Sequence, residues 1–158
     1  MGDKEIGVSF NKIRGAAYER LFVFECMARG LYPHEPTLEP PCHDMIVMDV
    51  EGNMTVTQVK STTVPSRWRG RESRKYAVKA VCNNGRTKLS DSNVDVLAIY
   101  VPVKAVWYLI PTHSITGRSV ALRPHLAKSK GSYEKYKGEW SVFGVTSDLL
   151  TYEDGPAR

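Results

Sequence analysis

Residues 94–101 and 105–110 are two almost unbroken apolar runs, Val-Asp-Val-Leu-Ala-Ile-Tyr-Val and Ala-Val-Trp-Tyr-Leu-Ile, with three residues between them. Continuous apolarity over strand length predicts two strands buried on both faces, and the rest of the chain must supply their covers. Upstream, the spacing predicts a helix over 11–29, with Asn11 as N-cap and Gly30 just past the end. Ile13, Ala17, Leu21, Phe24 and Ala28 follow three-to-four spacing and are expected to form its buried stripe, widened by Ala16, Val23 and Met27. Arg20 falls inside that arc. A proline-marked approach over 32–41 leads to Asp44, which opens an apolar run at 45–48. Residues 54–60 alternate as a second strand, residues 76–82 read as a third, and Asn83-Asn84-Gly85 is turn chemistry. Residues 132–140 are expected to close the domain as a short helix carrying Tyr133, Tyr136 and Trp140. One helix, a run of strands and a closing helix make an α/β (α+β) domain.

The 158 residues suit one domain over 1–158, with a core at about 11–142 and a tail at 143–158. No run approaches the roughly 18 apolar residues of a membrane span, so no membrane partner is expected. The charged start Met-Gly-Asp-Lys-Glu leads into no apolar signal region, which points to the cytoplasm. Cys26, Cys42 and Cys82 are odd in number and far apart, and are expected to be reduced thiols. Cys42 and His43 with His34 lack the second pair that a zinc site requires. His113 and His125 fall in later loops and read as surface residues. No serine or cysteine carries a triad pattern.

Charge is unevenly placed. Residues 1–59 carry a net −4, residues 60–90 a net +8 and residues 91–158 a net +1, within a total of +5. The middle block is either a solvated loop or a surface for a polyanion, of which nucleic acid is the commonest. It holds Arg67, Trp68, Arg69, Arg71, Arg74 and Lys75. Arginines contact phosphates and guanine edges, Trp68 offers a stacking platform, and Gly70 allows movement.

The hairpin over 44–60 gathers a second set of residues. With Glu51-Gly52-Asn53 as its loop, Asp44 is expected to face Lys60 and Ile46 to face Gln58. Opposed side chains share a face, as do residues two apart on one strand, so Asp44, Gln58 and Lys60 meet at the open end. A two-residue turn would shift the register by one and scatter them. On the helix, Glu19 leans towards Gly15, which has no side chain to block it, and can join the cluster. An Asp with a neighbouring oxygen ligand can hold Mg²⁺, and a lysine beside it can orient or deprotonate water or stabilise charge on a phosphate. Geometry alone favours a surface hairpin with an Asp–Lys pair and a partly exposed Glu19.

Gly15-Ala-Ala-Tyr-Glu19-Arg-Leu-Phe on a first helix, then Asp44, then Gln58-Val59-Lys60-Ser61 ending a strand, resembles the PD-(D/E)XK nuclease superfamily. Within it the chain looks most like group I intron homing endonucleases of this fold, which have a Gln-Val-Lys tripeptide, and next like archaeal-type Holliday junction resolvases. Residues 94–100, Trp107-Tyr-Leu-Ile-Pro111 and Tyr133-Glu-Lys-Tyr-Lys-Gly-Glu-Trp140 extend the likeness over most of 11–142. It implies a restriction-endonuclease-like core, with an N-terminal helix packed on a central mixed sheet. It also implies Mg²⁺-dependent hydrolysis of DNA, duplex or branched, by a homodimer or homotetramer, with Mn²⁺ able to substitute. A phage or mobile-element setting, and so a host cytoplasm, follows by analogy with the family. Glu19, Asp44, Gln58 and Lys60 would be its catalytic set, and Glu19, Asp44, Gln58 and the Val59 carbonyl its metal ligands. His43 stands where the family has Pro. Gln58 replaces an acidic residue, which leaves the site one charge poorer and Glu19 more important. A DNA-binding protein of nuclease descent that no longer cuts is the alternative.

Overall fold

A computed structural model of the chain describes residues 9–145. Helix α1 (Phe10–Ala28) is followed by β1 (Tyr32–His34), β2 (Met45–Met48) and β3 (Met54–Ser61). The basic stretch holds β4 (Arg67–Trp68) and β5 (Arg71–Glu72). After it come β6 (Tyr76–Lys79), β7 (Val81–Cys82), β8 (Thr87–Lys88), β9 (Val96–Val101), β10 (Val106–Pro111) and β11 (Ser119–Leu122). The central sheet has the order β1-β2-β3-β9-β10, parallel between β3 and β9 and antiparallel elsewhere, so it is mixed. This is the expected α+β core, with one N-terminal helix on a mixed sheet.

The two apolar runs pair over six residue positions, from Val106 opposite Val101 to Pro111 opposite Val96. Alternate residues serve opposite layers. Val96, Ala98, Trp107 and Leu109 join Phe22 and Cys26 of α1, and the aromatic contacts there are close: Phe22 to Trp107 at 5.2 Å and to Trp140 at 5.8 Å. Leu97, Ile99, Tyr108 and Ile110 face the antiparallel β6–β11 ribbon and its Val78, Val120 and Leu122.

Several expectations are corrected. Asn11 lies inside α1 and accepts a hydrogen bond from Arg14 instead of capping, and Ser9 at the flank makes no side-chain cap bond. Gly30, with φ +73°, does end the helix as expected. The helix is turned about its axis. Phe22 and Cys26 are buried, whereas Ile13, Phe24 and Met27 are 56, 66 and 64% exposed. Apolar residues line both sides of α1, and the aromatic pocket of Trp107, Trp140 and Phe143 takes Phe22. The expected third strand breaks at Ala80, whose N–H donates to Arg118 O and whose carbonyl accepts from Leu89 N–H. The closing segment consists of two 3-10 turns, Glu134–Tyr136 and Trp140–Phe143.

The β2–β3 hairpin has a three-residue loop, but it starts one residue earlier than expected. Asp49 N–H donates to Asn53 O at 3.0 Å, closing Val50-Glu51-Gly52, and Met45 lies opposite Thr57. Asp49 sets this position. Its Oδ1 accepts the Glu51 and Asn53 N–H groups, and its Oδ2 accepts the Asn53 amide, while Gly52 takes φ +86°. Each β2 residue therefore meets a partner two positions earlier on β3. A two-residue shift keeps every side chain on its face.

Cys42 and Cys82 are joined in a disulfide, contrary to the expected free thiols. Forty residues of sequence separate them, but β7 lies against the approach to Asp44, where Asn83 N–H donates to Pro41 O. Cys26 is free and buried, and burial pushes its thiol up to about 12.

Candidate active site

The open end of the β2–β3 hairpin is where the sheet stops being apolar. Asp44 N–H donates to Thr57 O at 3.0 Å, one residue out of the ladder register, so the chain bends there. The bend brings the carboxylate back onto β3, where Oδ2 accepts the Val59 N–H at 2.7 Å. The Asp44 carboxylate thus sits at the residue between Gln58 and Lys60. In an extended strand the N–H and C=O of one residue project to the same side, so the Val59 carbonyl also projects towards Asp44.

Val59 itself packs into the α1 layer, which sends its neighbours Gln58 and Lys60 to the other face. Lys60 reaches the β6–β7 break, and its Nζ donates to the carbonyls of Lys79 (2.7 Å) and Val81 (3.2 Å). Burial pulls the Lys60 ammonium below the usual lysine range; Asp44 opposes that shift and Lys79 adds to it. Burial raises the Asp44 carboxyl above the usual range, against the Val59 N–H, Lys60 and His43, which favour its charged form. Gln58 Oε1 is buried and has no hydrogen-bond partner among the described residues. A buried oxygen left unpaired is costly, a state it shares with Trp107 Nε1 and the Tyr108 hydroxyl.

Glu19 comes from the other layer. Position 15 is open as expected, since a side chain there would meet nothing within 4 Å. Glu19 and Asp44 share a polar cleft of about 460 Å³ with Arg20, Glu35, Glu39 and His43. Burial, then the charges of Asp44 and Glu35, raise the Glu19 carboxyl above its ordinary range. Asp44 is therefore the junction: it touches the Gln58-Val59-Lys60 strand on one side and shares the Glu19 cleft on the other. Gln58 and Lys60 do not line that cleft.

No group of three His, Cys, Asp or Glu residues suited to a metal occurs among the described residues. A cation at Asp44 would draw on oxygen atoms of mixed type: the Asp44 and Glu19 carboxylates, the orphaned Gln58 amide oxygen and the Val59 carbonyl. An all-oxygen set of this kind fits Mg²⁺ better than a softer metal.

The basic stretch is a short antiparallel ribbon. Arg67 lies opposite Glu72 and Trp68 opposite Arg71, turning at Arg69 and Gly70 with φ +49° and +77°. The side chains of Trp68 and Arg71 lie outside the described ones. Arg67, Arg74 and Lys75 line a cleft of about 550 Å³ whose other wall carries Arg123 and His125. That wall is firmly held. Arg123 N–H donates to the fully buried Glu134 carboxylate, and Lys137 Nζ donates to the carbonyls of Pro124 and Leu126. Sequence reading missed Arg123; His125 is exposed, as expected, and lines the cleft as well. No local pattern marks either residue, because their position depends on β11 pairing with β6. Lys75 is four residues from Lys79, so the cleft lies roughly 13 Å along the strand from the Lys60 anchor.

No family model and no curated protein matches the chain. Among solved structures it is similar to the bacterial homing endonuclease I-Ssp6803I, with TM-score 0.65 and 19% identity over 85% of this chain and 91% of that one. It is also similar to a Holliday junction resolvase from the archaeal hyperthermophile Archaeoglobus fulgidus, with TM-score 0.47 and 15% identity over 70% and 84%. The first likeness is one of fold, and the fold is that of this homing endonuclease.

Proposed function

We propose that this chain, which has a PD-(D/E)XK nuclease fold, is a Mg²⁺-dependent endonuclease that hydrolyses DNA phosphodiester bonds. The observation that carries this reading is the Asp44 carboxylate on the Val59 N–H, between the orphaned Gln58 oxygen and the partly desolvated Lys60, with Glu19 in the adjoining cleft. Asp44, Glu19, Gln58 Oε1 and the Val59 carbonyl would hold the cation. A bound divalent cation acidifies water and offsets charge on the attacked phosphate. Lys60, with its two carbonyl anchors, is fixed where it can orient an attacking water or stabilise charge on the phosphate. Its depressed pKa also eases its use as a base. The cleft between the β4–β5 ribbon and the Arg123–His125 wall supplies positive charge for the DNA backbone within a few base pairs of the site.

Two substrate shapes fit this chemistry. One is a duplex cut at rare sites; the other is a branched junction. Homo-oligomerisation, as a dimer or tetramer, suits both, because each has twofold character. Incubating the full chain and Mg²⁺ with a four-way junction and with a long linear duplex separates them. Symmetric nicks on the junction mean a resolvase, and a few discrete duplex cuts mean a homing-type enzyme. Binding with no cleavage of either overturns the enzymatic reading.

A further inference from the structure

The face of α1 turned away from the sheet is apolar along its length except at Arg20. Phe10, Ile13, Ala17, Phe24 and Ala28 fall on one line down the helix, nearly opposite the buried Phe22 and Cys26. Met27 borders the line, and Phe10 is 72% exposed. Phe10, Ile13, Phe24 and Met27 alone expose on the order of 500 Å² of apolar surface, about the largest patch that a monomer leaves in water. We propose that this face is the interface between two copies of the chain, whose α1 helices pack antiparallel about a twofold axis near residue 19.

Three features favour a second copy in that geometry. First, the stripe is close to symmetric about its own middle. Phe10 and Ala28 are equidistant from position 19, and Ile13 and Phe24 centre within a residue of it, so a twofold there sets large side chains against small ones and the two inner ones together. Second, the charges match only when the helices run in opposite directions. Arg14 and Glu25 flank the stripe on the same side, so the antiparallel pair brings Arg14 of one copy to Glu25 of the other, whereas a parallel twofold pair would carry the two copies of this flank to opposite edges of the seam, where these charges do not meet. Arg14 holds a neutral Asn11 partner and stacks over Phe10, and Glu25 pairs with Arg29 through one carboxylate oxygen. Third, Arg20, the one charge within the stripe, is already compensated by Glu35 at 2.6 Å in its own chain. The helix is 19 residues long, roughly 28 Å. With its polar rim it can bury about the 800 Å² per partner of a stable pair. Glu19 points away from this face, whereas Arg20 and its partner Glu35, which also line the Glu19 cleft, lie at the interface edge.

The proposal names a face for the oligomer but does not need the chain to cut DNA, and its test reads mass alone. Light scattering and sedimentation velocity on the full chain at tens of micromolar should give a dimer, or a multiple of it, of the 17.7 kDa chain. Phe24→Glu and Ile13→Glu change residues already exposed in the protomer and should weaken association at least tenfold, with an unchanged circular dichroism spectrum. Met27→Lys provides the same readout if either of those fails to fold. Arg14→Glu and Glu25→Lys should each weaken association a few-fold alone, and mixing the two proteins should restore it. A monomeric wild type overturns the proposal, as does a dimer that persists in all three stripe variants.

Discussion

The β9–β10 hairpin and the β2–β3 hairpin are made of the same backbone and solve opposite problems. The first is paired over six positions, and its side chains from Leu97 to Ile99 and from Tyr108 to Ile110 are fully buried between the two layers. The second is paired over four, bends at Asp44, and ends in a carboxylate and an ammonium both shifted towards their neutral forms by burial. Among the described residues it also leaves the Gln58 amide oxygen without a partner, as β10 leaves Trp107 Nε1 and the Tyr108 hydroxyl. Parallel pairing of β3 with β9 joins the two, so the polar end leans on the well-packed strand. The packed core and the candidate site thus lie on neighbouring strands.

The comparison breaks most clearly if the apolar hairpin is damaged. Leu109→Ala removes a fully buried side chain from the α1 layer and should cost about 2–5 kcal/mol in denaturant unfolding. A loss much below that would mean β9–β10 does not carry the load. On the polar hairpin the sign should reverse. Gln58→Leu removes an unpaired oxygen, so without cation it should leave stability unchanged or raise it slightly. Gln58→Glu adds a negative charge at the proposed cation site and should tighten Mg²⁺ binding about tenfold by calorimetry, one such factor being 1.4 kcal/mol. Equal affinity in wild type and Gln58→Glu would place the cation away from this residue.

The smallest effect concerns pH. The Asp44 and Glu19 carboxyls are raised in the folded chain, so the native state binds those protons more tightly than the unfolded state does. Cation-free stability should therefore rise as pH falls from neutral through the raised values, levelling off near the ordinary carboxylate range of about 4. Asp44→Asn should flatten that rise and lift the cation-free Tm at pH 7 by about 2 °C. Added Mg²⁺ should raise the wild-type Tm and leave that of Asp44→Asn where it is. A wild type that loses stability over the same fall in pH would contradict the desolvated carboxylates.

Much of this was legible in the residues. The two apolar runs announced the buried hairpin, Gly15 marked the opening beside Glu19, and the even spacing of Asp44, Gln58 and Lys60 kept them together through a two-residue error in register. The orientation of α1 was not legible, because Ile13-Ala17-Phe24 and Tyr18-Phe22-Cys26 have equally good helical spacing and only Trp107 and Trp140 decide between them. The loop position depended on Asp49 Oδ1, a side-chain acceptor that strand patterns do not weigh. The Cys42–Cys82 bond and the Arg123–His125 wall depend on pairings across long stretches of chain, which no local signal encodes.

The central claim is that the Asp44 end of the β2–β3 hairpin is a cation-dependent phosphodiester centre. It is tested most directly by assaying DNA cleavage and DNA binding side by side for wild type and Lys60→Ala, with Mg²⁺ and with a chelator. The account predicts cleavage by wild type only with Mg²⁺, a loss of roughly 10²–10⁴-fold in the variant, and binding by both. Cleavage that survives the chelator, or that Lys60→Ala carries out as fast as wild type, would contradict it.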